Sequence, residues 1–326
     1  IRSLRCRTHT VSNTAFRGFG GPQGMFAIES VLDDIARHLG LDPLAVRRAN
    51  FYAGPGRNIT PYGMRVEDTI IAPLVARLVS DADYAGRRAE IAAFNATSQV
   101  LKRGLALTPV KFGISFTNTF LNQAGALVHV YKDGSVGVSH GGTEMGQGLY
   151  TKVRQIVAAE FGLPVGDVRL SATDTTRVPN TSATAASSGS DLNGKAAQAA
   201  CRAIRGRLAA FVAGRLGAAD ADVRFEAGRV RAPGFDAPFA QVALDAWLAR
   251  VQLWDAGFYA TPKLSYDASA MRGRPFYYFA YGAALSEVAI DTLTGEHRLL
   301  RVDILHDAGS SINPGIDIGQ IEGGFI

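Results

Sequence analysis

The chain has 326 residues, 47% hydrophobic and 19% charged, with a formal net charge of +5; this is enough apolar material for a large core, and the length suggests about two domains. Two cysteines, Cys6 and Cys201, stand far apart and outside any Cys-x-x-Cys pattern, which argues against a disulfide scaffold or a protein-built zinc or iron–sulfur site and fits a reducing compartment. The basic residues fall in scattered pairs such as Arg47-Arg48, Arg87-Arg88 and Lys102-Arg103, without the aromatic interleaving of a nucleic-acid groove, and no apolar run reaches the roughly 18 residues of a membrane span.

In chain order, residues 1–7 read as a strand and 15–22 as a Gly-rich loop. Met25, Ile28, Val31, Leu32, Ile35 and Leu39 then recur at helical spacing, which predicts a helix over about 23–39, ended by Gly40. Asp42-Pro43 supplies an N-cap and an N1 proline for a second helix to about residue 50. Residues 52–62 are rich in Gly, Pro and Asn and predict a loop. Helical patterns return over about 66–80 and 83–97.

From about residue 100 the pattern changes. Residues 112–116 and 126–131 alternate like strands, and Asp133-Gly134 turns the second into a strand over 135–140. A Gly-rich loop over 141–148 precedes a helix to about residue 161 and a strand to about 171. Residues 173–190, dense in Thr, Ser, Ala and Asn, lead into a long helix over about 191–216. A helix near 239–249 and a hairpin of 284–290 with 298–305, turning at Thr294-Gly295, complete the pattern. The 36 glycines suit a loop-rich α/β protein with many close backbone approaches. The chain lacks an initiator Met and stops within an apolar run, which predicts a piece of a longer polypeptide.

The chemistry-bearing candidates are loops. Those around 18–21, 141–148 and 182–190 carry little side-chain bulk, and each leads into a helix. A helix start presents unpaired N–H groups and a positive dipole end, so together they predict main-chain binding of a bulky polar anion. None is a Walker A loop or a Gly-x-Gly-x-x-Gly fingerprint. The six histidines form no metal-binding pair, and no Gly-x-Ser-x-Gly elbow occurs. Arg17 either ties down carbonyls or a buried carboxylate, or faces an anionic ligand. Phe19 and Phe116 are either core plugs or rings that stack on a flat substrate.

Five stretches together carry a resemblance. They are Ser12-Asn13-Thr14-Ala15-Phe16-Arg17-Gly18-Phe19-Gly20-Gly21-Pro22-Gln23; Lys111 to Thr117 with Leu121 to Leu127; Gly141-Gly142-Thr143-Glu144-Met145-Gly146-Gln147-Gly148; Val178 to Ser182 with Thr184 to Ser187; and Asp317-Ile318-Gly319-Gln320-Ile321-Glu322-Gly323. In this order the chain resembles the molybdopterin-binding large subunit of the xanthine dehydrogenase/oxidase family from end to end. The resemblance implies an α+β fold: mixed α/β molybdenum-cofactor-binding domains of the xanthine dehydrogenase/aldehyde oxidase type. Residues 1–97 would be the C-terminal part of a first domain, and 98–326 a second domain truncated at its end.

It also implies a molybdenum–pyranopterin cofactor whose metal takes no ligand from the protein. Matched by position, Arg17, Met145, Gly146, Gln147, Thr184, Ala185, Ala186, Ser187, Ser188 and Gln320 would bind the cofactor. Gly189, where relatives often carry a hydroxyl, is left out. Phe19 would stack face-on against the substrate and Phe116 edge-on, with Thr117 as a hydrogen-bonding neighbour. The implied reaction is hydroxylation of xanthine or hypoxanthine at a ring carbon with oxygen from water. Electrons would pass through 2Fe-2S clusters and FAD on a partner domain or subunit to NAD. The implied assembly is a cytoplasmic dimer of heterodimers that includes the remaining segments of the large subunit.

The family's Glu base falls beyond residue 326 and its substrate-binding Glu and Arg before Ile1, so no catalytic residue is expected here; Glu144, Glu287 and Glu322 are not bases. An aldehyde oxidase-like relative is the alternative, and a non-catalytic cofactor-binding or assembly module the alternative of another class. A carbon monoxide dehydrogenase-like relative fits less well, because that family carries a Cys in the loop matching 15–21.

Overall fold

Local signals account for most of the helices in the computed structural model, which describes residues 4, 6–11, 16–178 and 180–326. The strand expected over 1–7 lies mostly outside these residues, and Ser12 to Ala15 and Pro179 lie wholly outside. Helix α1 (Gly21–Leu39) ends on Gly40 in the left-handed conformation. Asp42 caps α2 (Pro43–Ala49) by accepting from the Leu44 N–H. Helix α3 (Ile71–Asp81) starts later than the expected residue 66, because the Val66 N–H is spent on the Asn58 carbonyl. Asp83 caps α4 (Tyr84–Thr97).

The remaining elements are β1 (Leu101–Ile114), β2 (Gln123–Val130), β3 (Val136–His140), α5 (Leu149–Phe161), β4 (Val168–Leu170), α6 (Gly189–Leu216), β5 (Arg224–Glu226), β6 (Arg229–Ala232), β7 (Phe235–Pro238), α7 (Phe239–Leu248), β8 (Trp254–Ala260), β9 (Ser265–Asp267), β10 (Arg272–Arg274), β11 (Tyr278–Asp291), β12 (His297–Asp307) and α8 (Pro314–Phe325). Strands β5 to β10 and helix α8 were not expected. Ala227-Gly228 and Pro233-Gly234, the turn pairs between β5, β6 and β7, could have revealed the meander. Asn313-Pro314 could have revealed α8, since Asn313 accepts from the Ile316 N–H.

The chain forms two units by contact. One comprises Ile1–Arg57, Asp68–Phe112 and Tyr281–His306; the other comprises Asn58–Glu67, Gly113–Ala280 and Asp307–Ile326. Each is assembled from segments far apart in sequence. In the first, buried Arg47 joins α2 to α1 through Glu29 (2.5 Å) and Asp33 (2.8 Å). A larger ion cluster fastens α4 to the sheet of order β1-β11-β12. Arg87 of α4 donates to Glu287 of β11 (2.8 Å) and Asp303 of β12 (2.7 Å), and Arg103 of β1 also donates to Glu287.

The second unit is built on a sheet of order β4-β3-β2-β8, antiparallel except for the β3–β4 pair. Strand β2 buries every second residue, Ala124, Ala126, Val128 and Val130, as its alternation demands. This face joins one hydrophobic core with Val153, Val157 and Phe161 of α5 and Ala196, Ala200, Cys201, Ile204 and Leu208 of α6. Fully burying a Val, Leu, Ile or Phe contributes roughly 1.5–3 kcal/mol, so this core anchors both helices whose starts carry the site described next.

Candidate functional site

Strand β3 ends at His140, and residues 141–148 turn from it into α5. His140 is buried, and its Nδ1 accepts the Gly142 N–H (3.0 Å). An accepting Nδ1 carries no proton, so the neutral ring holds its hydrogen on Nε2. Burial pushes this imidazole down to about 4, against a smaller upward pull from Glu144, and the ring is therefore neutral at ordinary pH. Gly142 has no room for a side chain: a Cβ there would lie 2.5 Å from Leu149 and 2.7 Å from Asn193.

The loop is tied together by its own polar groups. Glu144 Oε1 accepts from the Gly146 N–H (2.9 Å) and the Gly148 N–H (3.0 Å), and Oε2 accepts from the Tyr150 N–H (3.0 Å). Burial alone would raise this carboxyl, but these backbone donors outweigh it and hold it below the usual carboxylate range. Gln147 folds back as well, its Oε1 accepting from the Met145 N–H (2.6 Å) and its Nε2 donating to the Thr143 carbonyl (2.8 Å). The expectation that the start of α5 offers bare N–H groups to a ligand is thus corrected for Gly148 and Tyr150, whose amides the chain's own carboxylate takes.

Two further segments meet this loop. The Thr143 N–H donates to Thr184 Oγ1 (2.8 Å) at the edge of the turn over 184–188. In that turn Ala186 and Ser187 both adopt left-handed backbone, with φ of 55° and 57°, a conformation that costs a non-glycine residue roughly 1–2 kcal/mol. The turn holds because the Ser188 N–H and Oγ both donate to the Ala185 carbonyl. Ser188 is buried with its hydroxyl committed there, whereas Ala185 and Ser187 are exposed. Replacing Ser187 by Gly is expected to leave thermal stability unchanged or slightly raised, while Val at 187 is expected to lower it by about 1–2 kcal/mol, read by thermal unfolding.

The third segment is α8. Gln320 Nε2 donates to the Gly146 carbonyl (3.2 Å). The helix is secured to α5 by the Lys152–Asp317 ion pair and by Asn313 and Ile312 against Gln155. Loop 141–148, turn 184–188 and Gln320 therefore come together in one unit, although up to 174 residues separate the bonded groups. Phe116 and Thr117 stand at the end of β1 in the same unit. The Phe116 N–H donates to Asn122 Oδ1 (2.8 Å), and Asn122 Nδ2 returns a bond to the Phe116 carbonyl (2.9 Å). Phe116 is half-buried and Thr117 exposed.

Arg17 and Phe19 belong to the first unit, on the turn that enters α1. Gly18, Phe19 and Gly20 are all left-handed, with φ of 90°, 47° and 85°. A bulky residue in that conformation is an outlier, and here it leaves the Phe19 side chain 79% exposed. Phe19 plugs no core of this chain. Arg17 is exposed too. Glu287 serves the ion cluster of the first unit and Glu144 caps α5, so neither is placed as a base. Among the described residues no three His, Cys, Asp or Glu side chains form a metal-binding group, and no helix is long and apolar enough to cross a membrane.

The model of a molybdopterin cofactor-binding domain matches residues 77–326, and a second such model matches residues 1–51. The chain belongs to the molybdopterin cofactor-binding domain family. It is 44% identical to a xanthine dehydrogenase/oxidase of Rattus norvegicus over 98% of its length, and 45% identical to a xanthine dehydrogenase of Emericella nidulans over all of it. It spans 22% of the length of each of those relatives. Among solved structures, quinoline 2-oxidoreductase from Pseudomonas putida 86 matches with a TM-score of 0.81 at 25% identity, covering 95% of this chain and 40% of that one. The mixed α/β architecture expected from the motifs agrees with this likeness. The three segments gathered in the second unit all lie within residues 77–326.

Proposed function

We propose that this chain forms the cofactor cradle and part of the substrate wall of a molybdenum hydroxylase of the xanthine dehydrogenase type. The observation that carries the reading is the meeting of loop 141–148, turn 184–188 and Gln320. Together they present exposed Gly146, Ala185 and Ser187, groups of little bulk that suit a large polar cofactor approached mainly by backbone, beside exposed Met145. Met145, Gly146, Gln147, Thr184, Ala185, Ala186, Ser187, Ser188 and Gln320 would hold it; for Arg17, in the first unit, the cofactor role rests on the sequence resemblance alone. Bound there, the group supplies the metal-centred oxygen-transfer and two-electron chemistry. Gln147 and Ser188 contribute chiefly through the backbone they brace, since their side chains are already engaged.

The substrate is a purine, xanthine or hypoxanthine, hydroxylated at a ring carbon with water as oxygen donor, and the electrons leave through partner-borne 2Fe-2S clusters and FAD to NAD. Phe19 offers the ring face for stacking, Phe116 a ring edge, and Thr117 a hydrogen bond. Metal and pterin analysis of the purified protein tests the reading first: about one molybdenum and one pterin per chain is expected, and their absence would overturn it. Turnover of aldehydes without purines would favour the aldehyde oxidase-like alternative.

Phe19→Ala tests the substrate wall. A stacked ring is worth roughly 0.5–1.5 kcal/mol beyond its area, so purine turnover is expected to fall about tenfold. Molybdenum content and thermal stability are expected to stay near normal, because Phe19 is exposed. Loss of cofactor instead of activity would rule out the stacking role.

A further inference from the structure

Glu144 has no role in the proposed reaction, yet more loop amides point at it than at any other side chain of residues 141–148. A helix start normally leaves N–H groups and a partial positive charge for water or an anionic ligand. At α5 the Glu144 carboxylate receives the N–H groups of Gly146, Gly148 and Tyr150. Gly146 and Gly148 are both left-handed, with φ of 97° and 74°, and this turns their amides inward onto the one carboxylate. Two ligand-facing features depend on that shape. In the same closed loop Gln147 accepts from the Met145 N–H, and the Gly146 carbonyl accepts from Gln320 of α8.

We infer that Glu144 is a positioning residue: an internal anion that fills the start of α5 in place of a ligand anion and holds Met145, Gly146 and Gln147 in the arrangement that receives the cofactor. The inference rests on the molybdopterin reading of this loop. It separates Glu144 from a general base, because an ionised carboxylate holding three backbone donors is stabilised in its charged form and has little tendency to take up a proton. The carboxylate acts through the loop and touches neither substrate nor cofactor.

The test uses the intact protein as purified. In Glu144→Ala, molybdenum and pterin content is expected to fall about tenfold, and deuterium uptake in peptides covering residues 143–152 to accelerate by a similar factor, as loss of three charge-assisted bonds implies. Formate at roughly 100 mM is expected to restore both in the variant and to change neither in the parent, by occupying the vacated start of α5. General structural damage would not respond to formate. Should Glu144→Ala fail to accumulate, Glu144→Gln decides. It keeps the shape but replaces one acceptor oxygen with a donor, so faster exchange over 143–152 is expected. Parent-like exchange and cofactor content in either variant would overturn the inference. A parent protein without pterin would instead overturn the functional reading, while the exchange and formate measurements would still decide the role of Glu144.

Discussion

Replacing Glu287 with Ala is expected to cost about 3–5 kcal/mol of folding stability, the usual penalty for removing one partner of a buried ion cluster. Glu287 is 4% exposed and accepts from both Arg87 and Arg103. Without it, two guanidinium groups lose their shared counter-ion, and Arg87 keeps the Asp303 carboxylate and the Ala82 carbonyl. Chemical denaturation checks this: a midpoint shift worth less than about 1 kcal/mol would mean that water reaches the site and screens the arginines. The cluster also sets an acid limit. Burial would raise the Glu287 carboxyl, but Arg103 and Arg87 hold it below its ordinary 4.5, and Arg301 and Arg87 likewise hold Asp303 below 3.8. Carboxyls lowered on folding stabilise fully above their unfolded values and lose that contribution as pH falls through the folded ones. Stability is therefore expected to decline below about pH 4.5, and more shallowly in Glu287→Ala.

Gly257→Ala is expected to cost about 3 kcal/mol or more, as overpacking against immovable backbone does. A Cβ on Gly257 of β8 would lie 1.9 Å from the Ala196 carbonyl oxygen and 2.7 Å from the Ala200 nitrogen, both main-chain atoms of α6. The helix can answer only by lifting off the strand. Because α6 begins directly after turn 184–188, lifting it also displaces that turn, so cofactor content is expected to fall along with thermal stability. Gly206→Ala is the control. It lies inside the same helix with nothing within 4 Å of the added atom, so a gain of about 0.5–1 kcal/mol is expected. A loss in Gly257→Ala no larger than the change in Gly206→Ala would show that the β8–α6 contact yields to the added atom and that overpacking does not govern this region.

Much of the secondary structure was legible because its causes are local. Gly40 and Asp42-Pro43 mark helix ends through the conformations those residues prefer, and β2 shows its buried face in plain alternation. Strand β1 was foreshortened to 112–116. Its outer stretch is mostly half-buried without clean alternation, so no period distinguishes it from loop. Helix α8 is not legible because its four glycines, Gly315, Gly319, Gly323 and Gly324, suppress helix propensity; bonds to α5 from its cap and first turn sustain it.

By itself the sequence determined the family resemblance, the small-residue loops, the helix caps and the separation of the motifs into ordered blocks. These properties depend on residue identity and on neighbours a few positions away. Only the tertiary structure decided that Phe19 is exposed on a left-handed turn, that Gln320 meets Gly146, and that Arg87 is neutralised by a residue 200 positions distant. It also reversed one local inference. The start of α5 looked like a seat for a ligand anion, since the rule for helix ends counts unpaired amides. It cannot foresee that a carboxylate two residues before Gly146 will curl back to take those of Gly148 and Tyr150, because that depends on how β3, His140 and the core close the loop around it.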